Sequence, residues 1–404
     1  MRYIFLGAFV VCSVLRVGAQ DVRHLDSLLT HYDQYNKMDS LRLRLPELLA
    51  ASEGQRLHDT AQAKIWYFQA RVEHENQHLK EAETLYLRAD SVQRQLQPIT
   101  GTRYRTIHHL GVLYRGLGQL QRAENYHKQA VGISERIHGK ESVSYAMAVN
   151  TLALLYYRRA AYSLAEPLFK EAIQIQRKAG EKERFNYSKT LNNLGLLYWR
   201  THRYAEAKEL YNKSLANYFA AFPSAEAKRN YAMTLNNVAI IHAEQSHYDS
   251  AVVVQQSALD ILKEFGTDAP VYIISFGNLA GCYAGAKRYA EALPIALQAK
   301  TLYETNFGER HPYYLLFLKD VAEIYWHLGK KTEAEQTLLY ALRQNTGIAA
   351  LGTPTSESWA DSIYNSEQII SEEALLTSLS LAFEQMYTTP QQKLLLSRLA
   401  LRLQ

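Results

Sequence analysis

Proline and cysteine are what this chain has least of: its 404 residues hold nine prolines and two cysteines, with nineteen glycines. So few helix breakers, and no low-complexity run, exclude a collagen-like or largely disordered chain. One cysteine, Cys12, lies in the opening segment "MRYIFLGAFVVCSVLRVGAQ". A basic start at Arg2, an apolar stretch over residues 3–11 and Val17-Gly18-Ala19 as a small-residue cleavage site form the pattern of a secretory signal peptide. Arg16 interrupts the segment short of the roughly 20 residues a membrane span needs. Val11 before Cys12 is not the small residue a lipoprotein signal carries. With residues 1–19 removed, Cys282 stands alone and no internal disulfide can form. The formal charge of +5 falls to about +3 without Arg2 and Arg16, too little to argue for nucleic acid. No later segment approaches 18 consecutive apolar residues, so no transmembrane helix is expected. The chain is therefore expected to be exported, periplasmic or secreted.

What the chain does have is a repeat. In "TLNNLGLLYWRTHRYAEAKELY", apolar residues fall at Leu191, Leu194, Gly195 and Tyr198, then at Ala207, Leu210, Tyr211 and Ser214. Steps of three and four place one stripe on each of two helices, and the short polar break between them makes the helices antiparallel. The small residue closing the first stripe recurs as Ala70, Gly111, Ala153, Gly195, Ala239, Ala280 and Ala322. Twelve residues after each comes Ala82, Ala123, Ala165, Ala207, Ala251, Ala292 and Ala334, and seven further on Ala89, Ala130, Ala172, Ser214, Ala258, Ala299 and Ala341. Helices packed about 8–10 Å apart have no room for a long side chain where their axes cross, so these twenty-one positions are expected to face neighbouring helices. Tyr114, Tyr156, Tyr198, Tyr283 and Tyr325, three after the small residue, suit the wider gap beneath the crossing, each keeping its hydroxyl near water.

Small residues at these sites, an aliphatic residue such as Leu110, Leu152 or Leu194 before the first, and turns of the form "HRYAEA" or "KRYAEA" resemble tetratricopeptide repeats. The period near 42, with phrases such as "LNNLGLLY" and "GERHPYY", is similar to the longer repeats of kinesin light chains and many bacterial arrays. The resemblance implies an all-α fold, a right-handed α-solenoid of antiparallel helix pairs. The expected organisation is a signal peptide (1–19), a degenerate helical pair (20–60), seven repeats (61–345), a linker (346–370) and a C-terminal capping pair (371–404). Ser371 before Glu372-Glu373, and Thr389 before Pro390, are capping signals for that last pair. Leucines spread round too much of its final helix for one neighbour to hide, which leaves self-association through that helix open.

Opposite the packing stripe, the first helix of the fourth repeat presents Lys189, Asn192, Asn193, Leu196, Trp199 and Arg200. The resemblance implies that this stripe lines a concave face where such arrays bind extended peptides or partner segments. An Asn amide offers donor and acceptor to a peptide backbone. The matching residues are Arg105, His108, His109 and Arg115, then Asn150, Thr151, Tyr157 and Arg158, then Asn236 and Asn237. A basic, amide-rich first half suits a peptide with acidic side chains; the alternative is a merely solvated helix face. Gly277, Gly281 and Gly285 sit four apart on one expected helix, each costing roughly 1 kcal/mol relative to alanine. Bare backbone there would either admit a ligand strand or allow a tight turn of the array, and the structural explanation, the tight turn, is favoured.

"HENQH", His74 to His78, has the spacing of a zinc-peptidase helix, but in the repeat register Gln77 and His78 fall at a turn, where that geometry is lost. Cys282 lies beside a core position and reads as an apolar filler. Neither a phosphate loop nor a strand to carry one is present, so no cofactor, metal or catalysis is expected. "NYS" at Asn186 and "NKS" at Asn212 match glycosylation acceptors, the second running through a core serine. Two functional readings follow: a scaffold binding a protein or extended peptide, or the recognition array of a caspase-like (CHAT) peptidase system or a bacterial signalling protein.

Overall fold

The computed structural model describes residues 59–96, 99–220 and 224–348, and beyond them isolated positions including Ile363, Ser371, Leu375 and Leu381. The expected signal peptide, most of the degenerate pair and the leucine-rich final helix lie outside the described residues.

Two compact units divide the chain, Met1–Leu197 and Tyr198–Gln404. The first contains α1 (Asp59–Glu75), α2 (Leu79–Gln93), α3 (Gly101–Gly116), α4 (Leu120–His138), α5 (Val143–Arg158), α6 (Tyr162–Ala179) and most of α7 (Arg184–Arg200). The second contains α8 (Tyr204–Ala220), α9 (Ala225–Glu244), α10 (Tyr248–Leu262), α11 (Pro270–Gly285), α12 (Tyr289–Phe307), α13 (Pro312–His327) and α14 (Lys331–Thr346). Among the described residues there is no strand. In the first unit α1 packs on α2, α3 on α4 and α5 on α6, and α2 and α4 each pack on the first helix of the next pair. The second unit repeats this with α9 on α10, α11 on α12 and α13 on α14. The architecture is an all-α array of stacked antiparallel helix pairs.

The core follows the sequence register. All twenty-one small positions are buried, with Ala70, Ala82, Ala123, Ala165, Ala239, Ala251, Ala280 and Ala292 at 0% exposure. The tyrosines beneath the crossings behave as amphipathic plugs. Tyr114 donates to Glu83 Oε1 at 2.6 Å and Tyr156 to Glu124 Oε1 at 3.2 Å, while Tyr198 and Tyr283 lie under the guanidinium groups of Arg203 and Arg288 at 3.7 and 4.6 Å.

Every turn inside a pair closes in the same way. Seven residues after the small position the chain takes positive φ, at Gln77, Gly118, Ala160, His202, Ser246, Lys287 and Gly329. The next N–H returns to the carbonyl five residues back, as in Gln119 N to Tyr114 O and Arg288 N to Tyr283 O, both 2.9 Å. This is the Schellman closure, which satisfies carbonyls left open at a helix end. Second helices therefore start without a side-chain cap. Several first helices, reached through longer loops, use one: Thr100, Ser142 and Ser224 accept from the N–H three residues on.

The same geometry settles two sequence questions. Gln77, at φ 65°, interrupts "HENQH", so His74 ends α1 and His78 precedes α2 instead of sharing one helix face; His78 bonds Glu73 at 2.7 Å. Of the three glycines of α11, two make room for tyrosine rings. A Cβ at Gly277 would meet Tyr303 at 3.0 Å, and one at Gly285 would meet Tyr248 at 2.3 Å. Gly281 faces open space. Within the stretch expected as a linker, Ile363 is helical and fully buried. Ser371 is held to α14 by both polar ends of Asn345: Nδ2 donates to its carbonyl at 2.8 Å and Oδ1 accepts its N–H at 2.9 Å.

Candidate functional site

Once the small residues turn inward, the polar stripe of each first helix is left half-exposed, and the structure links parts of that stripe across repeats. In the first unit Asn193 Nδ2 of α7 donates to Asn150 Oδ1 of α5 at 3.3 Å. In the second, Asn278 Nδ2 of α11 donates to Asn236 Oδ1 of α9 at 3.0 Å. Both rungs join the residue two before the small position to the residue three before it in the preceding repeat.

The two rungs differ in what stands behind them. Asn236 Oδ1 also accepts from Gln255 Nε2 at 2.9 Å and Ser275 Oγ at 3.1 Å, and Gln255 Nε2 reaches Ser275 O at 3.0 Å. Gln255 is 0% and Ser275 1% exposed, so this carbonyl is the centre of a buried network. Gln255, Ser275 and Asn278 are site residues that the sequence reading misses. The signal for Asn278 is its place 42 residues after Asn236; Gln255 lies on a second helix, where the stripe argument does not look. The Asn150–Asn193 rung has no such backing. Among the described residues nothing engages Asn150 Nδ2 or Asn193 Oδ1, so half of each amide's capacity stays open.

The remaining expected residues are placed as follows. Asn192 and Asn237 are half-buried on α7 and α9. Lys189 lies over the Phe185 ring at 5.3 Å, and Arg200 over its neighbour Trp199 at 4.9 Å. Arg115 is half-buried at the end of α3 and Arg158 exposed at the end of α5. Burial first, and Arg158 second, lower the Arg115 pKa.

His108 and His109 are not simple solvated members of the stripe. Burial, with Arg115 and Arg71 adding to it, pushes His108 down to about 4, and His109 falls well below its ordinary value for the same primary reason. His127 of α4, 1% exposed, is pushed down to about 3 by burial, His108 and Arg115. A neutral imidazole cluster thus lies under a cationic surface. Next to it a cleft of about 290 Å³ is lined by Arg71, His74, Glu75, Gln77, Tyr86 and His109. The Tyr86 hydroxyl there is fully buried and makes no hydrogen bond among the described residues.

This surface offers hydrogen bonds and charge. Burial pushes the Cys282 thiol up to about 11, so it is protonated at neutral pH. Asn186 of the first glycosylation-like triplet donates to Glu183, in the 3-10 turn just before α7, at 2.8 Å; in the second, Ser214 is fully buried.

Helix pairs recurring on one register, with small residues at each crossing and polar first-helix faces, define a helical-repeat protein. The tetratricopeptide repeat model matches residues 102–178, 162–220, 188–264 and 271–344, more than half of the chain. The chain belongs to the tetratricopeptide repeat family. Among solved structures it is similar to the apo form of RapI (TM-score 0.63, 14% identity, 89% of this chain and 96% of that one). It is also similar to a Rap protein complexed with competence and sporulation factor (TM-score 0.58, 15% identity, 82% and 88%). A putative kinesin light chain repeat protein of Podosopora anserina aligns at TM-score 0.43 and 21% identity, over 51% of this chain and 96% of that one. At these identities the likeness is one of fold. No curated protein matches the sequence.

Proposed function

We propose that the chain is an exported, non-catalytic scaffold whose first-helix faces hold an extended peptide or partner segment. The observation that carries this is the half-engaged amide rung: Asn193 and Asn150 are joined by a single bond, and among the described residues a donor and an acceptor are left unengaged. Pre-oriented amides recognise a backbone at small entropic cost. The same fold in a Rap protein complexed with competence and sporulation factor supports a bound partner as the occupant. The second reading is a regulatory array acting on another domain or protein, a CHAT-type peptidase among the candidates.

The test is site-specific photo-crosslinking from Leu154 and Leu196, on the same faces, in the native host, followed by affinity measurement with the captured segment. Asn150→Ala and Asn193→Ala are each expected to weaken it by about tenfold, the worth of one well-placed hydrogen bond. Unchanged affinity in both variants would falsify the amide assignment, and turnover of the captured segment would overturn the non-enzyme reading. Export predicts a mature N-terminus at Gln20 in the envelope or medium; an intact Met1 in the cytosol sinks it. Sequencing the gene past Gln404 decides whether a peptidase domain follows.

A further inference from the structure

Four residues after the second small position, each pair of the first unit buries an aromatic ring: Tyr86 and Phe169, both 0% exposed, and between them in the chain His127, at 1%. The tyrosine and phenylalanine rings are all carbon. His127 places two nitrogens at that depth, and among the described residues neither makes a hydrogen bond. Its ring lies on bare backbone, so close that a Cβ at Gly111 would come within 2.5 Å of Cε1 and 2.6 Å of Nδ1. The His108 ring, whose buried Nδ1 also makes no hydrogen bond, is centred 6.0 Å from it, and His109 is centred 5.4 Å from His108. An imidazole left in this way costs stability that a phenyl ring at the same register does not.

A proton entering the α3–α4 crossing meets no acceptor. Arg71 and His74 of α1 and Arg105 and Arg115 of α3 act on the cluster, and α2 contributes the Tyr86 ring, stacked on His109 at 6.0 Å. The carboxylates nearby are committed. Glu75, which shares the cleft with His109, is approached by Arg71 at 3.9 Å. On α2, Glu83 accepts from Tyr114 and Asp90 holds Arg94 and Arg103. On α4 itself, Glu124 takes Lys128 at 2.6 Å, Arg159, and the Tyr156 hydroxyl of α5. Burial above all, with these cations, holds His127 and His108 down at about 3 and about 4. The closed crossing therefore excludes the proton that an opened one, with ordinary imidazoles near 6.5, takes up.

Behind this crossing α4 packs on α5, the helix that carries Asn150 of the amide rung. We propose that the α3–α4 crossing is an acid-operated latch: a proton on His127 drives its ring off Gly111, parts α4 from α3 and loosens α5, so that the Asn150–Asn193 rung is presented at neutral pH and withdrawn in mild acid. Protonation of buried histidines is a means of biasing a packed interface between two states. Release of an extended segment from this face on acidification rests on the peptide-binding reading, whereas the latch itself does not.

Hydrogen exchange on the full chain, corrected for the pH dependence of the intrinsic rate, reads the latch without any ligand. Stability is intact above about pH 6.5 and lost below it, so from about pH 7.5 to about 5.5 the opening equilibrium should rise about tenfold for each imidazole that ionises on opening. Protection in α3, α4 and α5 is expected to fall about a hundredfold or more as His108 and His127 ionise together. His127→Phe, the residue at the same register in Phe169, should make that fall about tenfold smaller. Should this variant not fold, His108→Asn, the residue at its register in Asn150, Asn192 and Asn236, should do the same. Undiminished protection of the native chain in acid, a loss in α3 and α4 that leaves α5 unchanged, or an equally steep fall in the variants overturns the latch. Failure of the peptide reading leaves these exchange rates as expected, and failure of the latch leaves affinity at neutral pH untouched, so the two are told apart.

Discussion

The two units use one backbone plan and present different chemistry on it. In the first unit the polar face carries Arg105, Arg115, Arg158 and Lys189 over neutral imidazoles, with one isolated amide rung. In the second, the corresponding rung is sunk into a buried network around Asn236, and the turns are tied by Arg203 and Arg288, each bonding a glutamate three residues on at 2.6–2.7 Å. The same type of residue, at the same register, is available for recognition in one unit and committed to structure in the other. What decides is the second helix behind it. Gln255 reaches Asn236 in the second unit, whereas the residue at the same register behind the Asn150–Asn193 rung is the fully buried, apolar Phe169 of α6, which offers no hydrogen bond.

Acid should separate the units most. His127 is neutral in the folded protein with a pKa pushed down to about 3, against about 6.5 when unfolded. Between those values the unfolded chain binds the extra proton, so stability is intact above about pH 6.5 and declines as pH falls through the window. At pH 5 His127 alone contributes a loss of about 2 kcal/mol, and His108 and His109 act in the same direction. The second unit has one comparable imidazole, His242, half-buried and lowered by burial. Hydrogen exchange at pH 5 should show α3 and α4 opening before α11 and α12. Equal protection in both units, or loss in the second first, would contradict this electrostatic contrast.

The amide rungs give the next largest difference. Asn236→Ala removes the acceptor for Gln255 and Ser275, both buried, and is expected to cost about 1–3 kcal/mol. Asn193→Ala breaks one half-exposed bond, at about 0.5–1.5 kcal/mol. Urea denaturation of the two variants measures the gap, and a cost for Asn193→Ala equal to or above that of Asn236→Ala would mean that the first rung is structural too.

That contrast also marks where reading the sequence stops. The small residues reveal the fold because close helix crossings accept nothing else, so Ala70 through Ala341 are recognisable from spacing alone. Asn150, Asn193 and Asn236 are recognisable as a polar stripe, but whether an amide faces a ligand or a neighbour depends on residues on other helices. Periodicity sees one helix at a time. His108 and His109 look like solvated members of the stripe for the same reason, since His127 and Tyr86, which bury them, lie on second helices. The glycines of α11 are visible as an anomaly, yet the rings that explain two of them, Tyr303 and Tyr248, come from α12 and α10.

The smallest expected effect concerns the turns, where the units should respond alike. Positive φ recurs at the same register seven times, but only Gly118 and Gly329 are the residue that adopts it without steric penalty. Ala160, at φ 55°, carries a Cβ against the following carbonyl, at a cost of roughly 1 kcal/mol. Ala160→Gly in the first unit and Lys287→Gly in the second relieve that strain while increasing the freedom of the unfolded chain, so each should gain about 0.5 kcal/mol net. The reverse change, Gly118→Ala, has open space around its Cβ and so isolates the backbone contribution, with an expected loss of about 1 kcal/mol. Because all these turns close through the same five-residue return bond, the two glycine variants should shift the denaturation midpoint together. A gain confined to one unit would show that its closure, and not only its surface, has diverged from the shared plan.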